Sequence, residues 1–399
     1  MTAVLAVSGC SWLERSSVSS APASRAGGFD SRGPSLSQSG RYVAFTSDAA
    51  DLVPGDTNGA SDVFVRDNVA HTTTRVSVAG DGRQGNGPSY GADISDDGRT
   101  VAFLSQASNL APGDTDTAPT IFVADRVTHA IEVASVGSDE RPIGTVASAP
   151  VLSGDGSTVA FTLVTGFPDV AFSVPYGPVV RHLDTGTTAD LRLAPPIGYA
   201  AVMPGLPSLS DDGSRIASIP YQVSGTTALG GASVRDTTTG AFVADLGRVD
   251  VPIAANRGAP IAISGDGTRF AVGFVPAPGA STSGAIRVGR VADPASARTV
   301  TSEFALDVAL SDTGSLLATR THTVFGDVAM VTDPAQGDFR LVSSNAAGSI
   351  VAVVTSIALS GDGRWIAFDS AGTDIAPGDA RGVTQIYTRS AVRSTTPPS

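Results

Sequence analysis

A short segment recurs seven times along the chain, and this recurrence restricts the fold more than any other feature. The copies are Ser37-Gln38-Ser39-Gly40-Arg41, Ser95-Asp96-Asp97-Gly98-Arg99, Ser153-Gly154-Asp155-Gly156-Ser157, Ser210-Asp211-Asp212-Gly213-Ser214, Ser264-Gly265-Asp266-Gly267-Thr268, Ser311-Asp312-Thr313-Gly314-Ser315 and Ser360-Gly361-Asp362-Gly363-Arg364. Their serines follow one another at 58, 58, 57, 54, 47 and 49 residues, spacings expected of stacked repeats or propeller blades. Each copy follows a short apolar run such as Ala262-Ile263 and precedes an alternating one such as Tyr42-Val43-Ala44-Phe45 or Trp365-Ile366-Ala367-Phe368. The pattern reads as strand, Asp-Gly turn, strand. A third strand follows in most units (Val63 to Arg66, Ile121 to Ala124, Ile386 to Thr388), then a fourth such as Thr74 to Val78. The expected fold is all-β, a seven-bladed β-propeller of four-stranded antiparallel blades.

The repeated segment resembles the TolB-like β-propeller repeat, whose unit reads Ser-Pro-Asp-Gly-x-x-Ile-Ala-Phe. The resemblance covers about residues 29 to 390. Here Gln38, Asp96, Gly154, Asp211, Gly265, Asp312 and Gly361 fill the proline position, while the serine and the glycine hold in all seven copies. The resemblance implies a binding or scaffolding propeller of the cell envelope. Fold alone does not transfer a function.

The last unit supplies three strands and then ends in a polar tail, residues 391–399. Residues 14 to 20 stand before blade 1 as Thr74 to Ala79 stand before blade 2, so they are expected to close the ring as the missing fourth strand. That places the propeller at 29–390 and an N-terminal segment with the closing strand at 11–28. Residues 1–10 read as a signal-peptide remnant, because Val7-Ser8-Gly9-Cys10 resembles a lipobox ending at the chain's one cysteine. No basic residue precedes it, which a secretory signal ordinarily has. The expectation is an extracytoplasmic protein, secreted or lipid-anchored at Cys10, whose contact with a membrane would come through that anchor.

Composition narrows the partners. The formal net charge is −12 and none of the 26 basic residues is lysine, which excludes a nucleic-acid partner and any lysine-dependent phosphate loop. One cysteine excludes a disulfide framework and cysteine-based metal sites. The turn aspartates are read as turn chemistry. His71 and His129 sit four residues after Asp67 and Asp125, where a left-handed turn residue fits, while His182 and His322 lack metal-ligand spacing.

The expected function is a non-catalytic binding scaffold for a protein or envelope component, monomeric and without cofactor. The alternatives are an enzyme with its active site at the channel mouth, or a glycan-binding propeller. Candidate contacts on the loop face are Arg32, Tyr90, Asp93, Asn256, Arg257 and Asp307 near the connections between blades, and Phe167, Phe172 and Tyr176 in blade 3. Asp56, Asn58 and Asp62 have the spacing that begins an acidic calcium loop. No closing glutamate follows, so an Asx-turn is the preferred reading and calcium the weaker one.

Overall fold

The structure is a computed structural model describing residues 13–19, 29–112, 117–146, 148–164, 177–192, 206–219, 221–224, 227–252, 259–274, 285–301, 305–345, 348–351, 353–372, 375–376 and 383–392. Strands and turns, with no helix, make up the described residues. They form seven antiparallel sheets, the blades of a β-propeller.

Strand β1 (Leu13–Arg15) belongs to the last blade. Blade 1 is β2 (Ser31–Leu36), β3 (Tyr42–Ser47), β4 (Asp62–Asp67) and β5 (Thr72–Arg75). Blade 2 is β6 (Ser89–Ile94), β7 (Thr100–Ser105), β8 (Thr120–Asp125) and β9 (Ile131–Val133). In blade 3 the first strand is broken into β10 (Thr145–Val146) and β11 (Val151–Leu152), followed by β12 (Thr158–Val164), β13 (Pro178–His182) and β14 (Thr187–Asp190). Blade 4 holds β15 (Ser208–Leu209), β16 (Arg215–Ser218), β18 (Thr227–Asp236) and β19 (Phe242–Pro252), with β17 (Tyr221–Ser224) added against β18. Blade 5 is β20 (Ile261–Ile263), β21 (Arg269–Phe274), β22 (Ala285–Arg290) and β23 (Asp293–Thr301). Blade 6 is β24 (Ala305–Leu310), β25 (Leu317–Thr323), β26 (Gly326–Thr332) and β27 (Arg340–Leu341). Blade 7 is β28 (Val354–Leu359), β29 (Trp365–Ser370), β30 (Gln385–Ser390) and β1.

Each first strand touches the first strand of the next blade in an unbroken circle, so these strands are innermost and line the axis. The core lies between blades rather than within one. Leu36, Phe45 and Trp365 join blades 7 and 1, Val65, Ile94 and Phe103 join blades 1 and 2, and equivalent clusters fill the other five interfaces. Stacked pairs on the second and third strands, Phe45 on Phe64, Phe103 on Phe122 and Phe368 on Tyr387, carry this packing. Each buried large apolar side chain contributes about 1.5–3 kcal/mol.

The chain ends meet as the sequence predicts. β1 pairs β30 with Leu13 opposite Arg389 and Arg15 opposite Tyr387. The paired stretch is shorter and earlier than the expected residues 14 to 20, and Ser16 continues it by donating its N–H to Ile386 O at 2.8 Å. Ser17 Oγ donates to Gln385 Oε1 at 2.8 Å and accepts from Ile386 N–H at 3.0 Å. Glu14 lies 3.7 Å from the guanidinium of Arg66, tying the closing strand to blade 1. Ser17→Ala leaves a buried acceptor and donor unpaired, at a cost of about 1–3 kcal/mol. Urea denaturation should show that loss; an unchanged midpoint would mean that residues 16–18 do not clasp the ring.

Candidate functional site: the axial carboxylates

The repeated segment builds the same turn seven times. The serine oxygen accepts the N–H of the first residue of the following strand, as in Ser95 Oγ from Thr100 at 2.9 Å and Ser264 Oγ from Arg269 at 3.0 Å. The third-position aspartate accepts from that serine and from a backbone N–H two residues on; Asp97 does so from Ser95 Oγ at 2.7 Å and Arg99 N–H at 2.8 Å. These aspartates are turn residues, as the sequence suggests. The glycine has positive φ (71° at Gly98), and a Cβ there would lie 2.0 Å from Tyr42 Cδ2 of the preceding blade. Glycine therefore also makes room for the neighbouring blade.

The second position does something different. Its carbonyl links each turn to the one before it around the axis, accepting an N–H from the second position or, where that is glycine, from the third: Gln38 N–H to Asp96 O, Asp96 to Gly154, Asp155 to Asp211, Asp211 to Gly265, Asp266 to Asp312, Asp312 to Gly361, and Asp362 back to Gln38, at 2.8 to 3.0 Å. The seven bonds close a circle. Side chains at this position face one another across it, and aspartate alternates with glycine because two neighbours cannot both carry one. A Cβ on Gly265 would stand 1.9 Å from Asp211 Oδ2, and one on Gly361 2.3 Å from Asp312 Oδ1. A Cβ on Gly154 would lie 2.3 Å from Asp96 Oδ2 and 2.9 Å from Asp211 Cβ. Gln38 Nε2 reaches over Gly361 to donate to Asp312 Oδ2 at 3.2 Å.

Three carboxylates thus share one small, partly desolvated space. Burial, and then the charge of Asp312, pushes Asp96 up to about 6. Burial, followed by Asp312 and Asp96, pushes Asp211 up to about 7. Burial raises Asp312 as well, against the hydrogen bond from Gln38. By contrast, Asp212 and Asp266, despite burial, are held below the usual carboxylate range by hydrogen bonds within their own turns. Near neutral pH, then, one axial carboxyl holds a proton beside another that has lost it, the pairing that general acid–base chemistry needs.

The residues expected at the channel divide. Asp93 and Asp307 stand on innermost strands just after β-bulges, part-buried. Asp93 accepts from Ser35 Oγ at 2.6 Å in blade 1 and Leu152 N–H at 2.7 Å in blade 3, and burial raises its pKa. Burial pushes Asp307 up to about 6, against the charge of Arg320. Both fasten blades together along the channel wall. Arg32 is exposed and pairs with Asp30 at 3.2 Å and Asp48 at 3.1 Å, while Tyr90 packs on the cluster between blades 2 and 3. Cys10, Phe167, Phe172, Tyr176, Asn256 and Arg257 lie outside the described residues. Asp56, Asn58 and Asp62 do come together, but around a protein cation: Arg75 Nη1 lies 3.1 Å from Asp56 and 3.5 Å from Asp62, and Asn58 donates to Asp62 at 3.0 Å. His71 and His129 have the left-handed φ expected of them, 53° and 60°.

Three features were missed by sequence reasoning. Asp96, Asp211 and Asp312 were read as turn chemistry, although their alternation with glycine was visible. Asp369 accepts from Gly33 N–H at 3.1 Å in blade 1 and from the N–H and hydroxyl groups of Thr355 and Ser356 in its own blade. Gly87-Pro88-Ser89-Tyr90-Gly91 has the Gly-x-Ser-x-Gly spacing of a hydrolase elbow. Ser89, however, opens β6, is fully buried and bonds Ser105 Oγ at 2.9 Å, a strand pair rather than an exposed strand-to-helix nucleophile.

No protein-family model matches the chain, and no curated protein sequence matches it. Solved structures do match. An oligogalacturonate lyase in complex with manganese aligns with a TM-score of 0.58 at 11% identity, over 96% of this chain and 96% of that one. Oligogalacturonate lyase from Vibrio parahaemolyticus aligns with a TM-score of 0.57 at 11% identity, over 96% and 97%. The β-propeller domain of the Trilobed protease from Pyrococcus furiosus, described as having an open velcro topology, gives 0.55 at 9% identity over 91% and 94%. At these identities the likeness is one of fold: the chain is a β-propeller.

The comparison corrects the expectation of a non-catalytic scaffold. Two lyases share this fold almost end to end, so a propeller of this kind is no ground for a non-catalytic role. Among the described residues no group of three or more His, Cys, Asp or Glu side chains is arranged to hold a metal ion.

The raised carboxyls also set the pH dependence of stability. Asp96 and Asp211 bind protons more tightly folded than unfolded, so their contribution is full below about pH 4 and is lost as pH rises through about 6 and 7. Asp211→Asn, which keeps a neutral side chain at every pH, should flatten the fall in melting temperature between pH 5 and 8 and melt above the parent at pH 8. Parallel curves for parent and variant would contradict the raised values.

Proposed function

We propose that this chain is an enzyme that cleaves glycosidic bonds by acid–base chemistry at the channel mouth framed by Asp96, Asp211 and Asp312. The observation that carries the reading is the pair Asp96 and Asp211, which stand on either side of Gly154 around the axis and are raised to about 6 and 7. Asp211, protonated, would donate to the leaving oxygen as its bond to the sugar breaks. Asp96, ionised, would take a proton from the attacking water. The proton balance closes when each carboxyl returns to its starting state through solvent. Gln38, bonded to Asp312, would orient the third carboxylate and a sugar hydroxyl.

The lyases of similar fold put oligosaccharides first among substrates to try. A galacturonate chain would bring its own carboxylates against three more on a protein of net charge −12. An uncharged oligosaccharide suits the site better. Reducing-end release from neutral oligosaccharides and from oligogalacturonate, measured from pH 4 to 8, tests this. Neutral substrates should be cleaved faster, and Asp211→Asn should lower kcat by about 10²–10⁴-fold. The exposed Asp81→Asn change should leave kcat as it was. Cleavage of no glycan across that pH range, or full activity in Asp211→Asn, would sink the proposal.

The proposal places the protein outside the cytoplasm, attached through Cys10, on the strength of the lipobox-like Val7 to Cys10 and the TolB-like turns. Fractionation of Cys10→Ala checks it: release into the soluble fraction is expected, and membrane retention would count against the anchor.

A further inference from the structure

Between blades 4 and 5, away from the axial carboxylates, a cleft of about 500 Å³ opens to solvent. Its walls are Val243 and Asp245 of β19, Val291 and Pro294 around the turn into β23, and Arg215 at the start of β16. The corresponding gap between blades 1 and 2, lined in part by Arg75, Arg126 and Ile131, measures only about 90 Å³.

The difference has a local cause. Tyr42 of blade 1 occupies the place that Arg215 has in blade 4, since each follows its turn and donates its N–H to the turn serine. Arg126 of blade 2 occupies the place of Val291 in blade 5, since each donates its N–H back to the turn residue before the second strand. In blades 1 and 2 the guanidinium of Arg126 lies 4.5 Å from the Tyr42 ring centroid, and the two fill the space. In blades 4 and 5 a valine replaces that arginine, and the neighbouring wall is built from alanine and proline. The space stays open.

What remains is a mostly apolar cleft with one cation and one carboxylate. Arg215 is held by a hydrogen bond from Nη1 to Gly267 O at 2.6 Å, and Asp245 by one from Gly247 N–H at 2.9 Å. Val243 is 43% exposed, an apolar surface left open to water. The volume falls within the ~300–1,000 Å³ of small-molecule sites. A cleft of that size is roughly 10 Å across, while an extended dipeptide spans about 7 Å at ~3.5 Å per residue.

We infer that the cleft between blades 4 and 5 binds a short apolar peptide with free ends, its carboxylate on Arg215, its ammonium toward Asp245 and its side chains against Val243 and Pro294. Arginine is suited to the first contact because its planar fork matches a carboxylate. The site is separate from the proposed glycan chemistry, so either can fail without the other.

Isothermal titration of the full chain with Leu-Leu, and with the same dipeptide acetylated and amidated at its ends, tests the inference. Saturable binding of Leu-Leu is expected, at least tenfold weaker for the capped form and for Asp245→Asn. Because Arg215 also supports blade 5, the cleft is better blocked by Ala295→Trp, at an exposed position on its wall. That variant should melt no lower than the parent and no longer bind. Absence of Leu-Leu binding at millimolar concentration, equal binding of the capped dipeptide, or undiminished binding by a folded Ala295→Trp would overturn it.

Discussion

Everything in this molecule hangs on the circle of seven backbone hydrogen bonds that joins the turns of neighbouring blades at the axis. A propeller blade buries its faces against two neighbours, and apolar packing alone fixes the spacing of blades loosely. A directed N–H to carbonyl bond at every step fixes it closely. Each bond is modest, about 0.5–1.5 kcal/mol net. Seven of them, all running the same way, leave no turn free to shift without breaking two. The N-terminal strand secures the same circle from outside, pairing with β30 and bonding to blade 1.

The circle sets the chemistry of the second turn position. Its residues are pulled so close that a carboxylate at one leaves no room for a Cβ at the next, hence Asp96, Gly154, Asp211, Gly265, Asp312 and Gly361 in strict alternation. Seven is odd, so the alternation cannot close on itself. At one place two like positions must be neighbours, and there Gln38 stands beside Asp96. A fourth aspartate would have added another charge to a space where Asp312 already raises Asp96 and Asp211. The amide instead donates to Asp312. Crowding and desolvation, both products of ring geometry, turn ordinary hairpin residues into groups able to exchange protons near neutral pH.

The same fold leaves different gaps at its interfaces. Where Tyr42 and Arg126 meet, the space between blades is filled; where Arg215 and Val291 take their places, it is open. Buried carboxylates do the complementary work on the inner strands. Asp93 accepts from donors in both adjacent blades, and Asp369 from Gly33 in blade 1 and from Thr355 and Ser356 in its own. Asp62 and Asp56 hold Arg75 in the same manner at the rim.

The sequence by itself determined the blade count, the hairpins, the closing strand and the left-handed turns at His71 and His129. The hairpins and turns rest on residues that are neighbours in the chain, a serine and the N–H five residues on, a glycine with positive φ, an alternating strand; the closing strand follows from counting strands per unit. Such contacts are written locally and repeat with the unit. Only the tertiary structure decided which aspartates face the axis, that Asp93 bridges blades 1 and 3, that Arg75 fills the acidic loop, and that blades 4 and 5 part. Arg75 lies 13 residues beyond Asp62; the other partners lie some fifty residues or more apart, in turns whose local sequences look alike. Asp96 and Asp97 occupy adjacent places in one turn, and nothing in their immediate sequence tells them apart. Closing the ring does, because it brings the second position of each turn against the next and leaves the third facing its own serine.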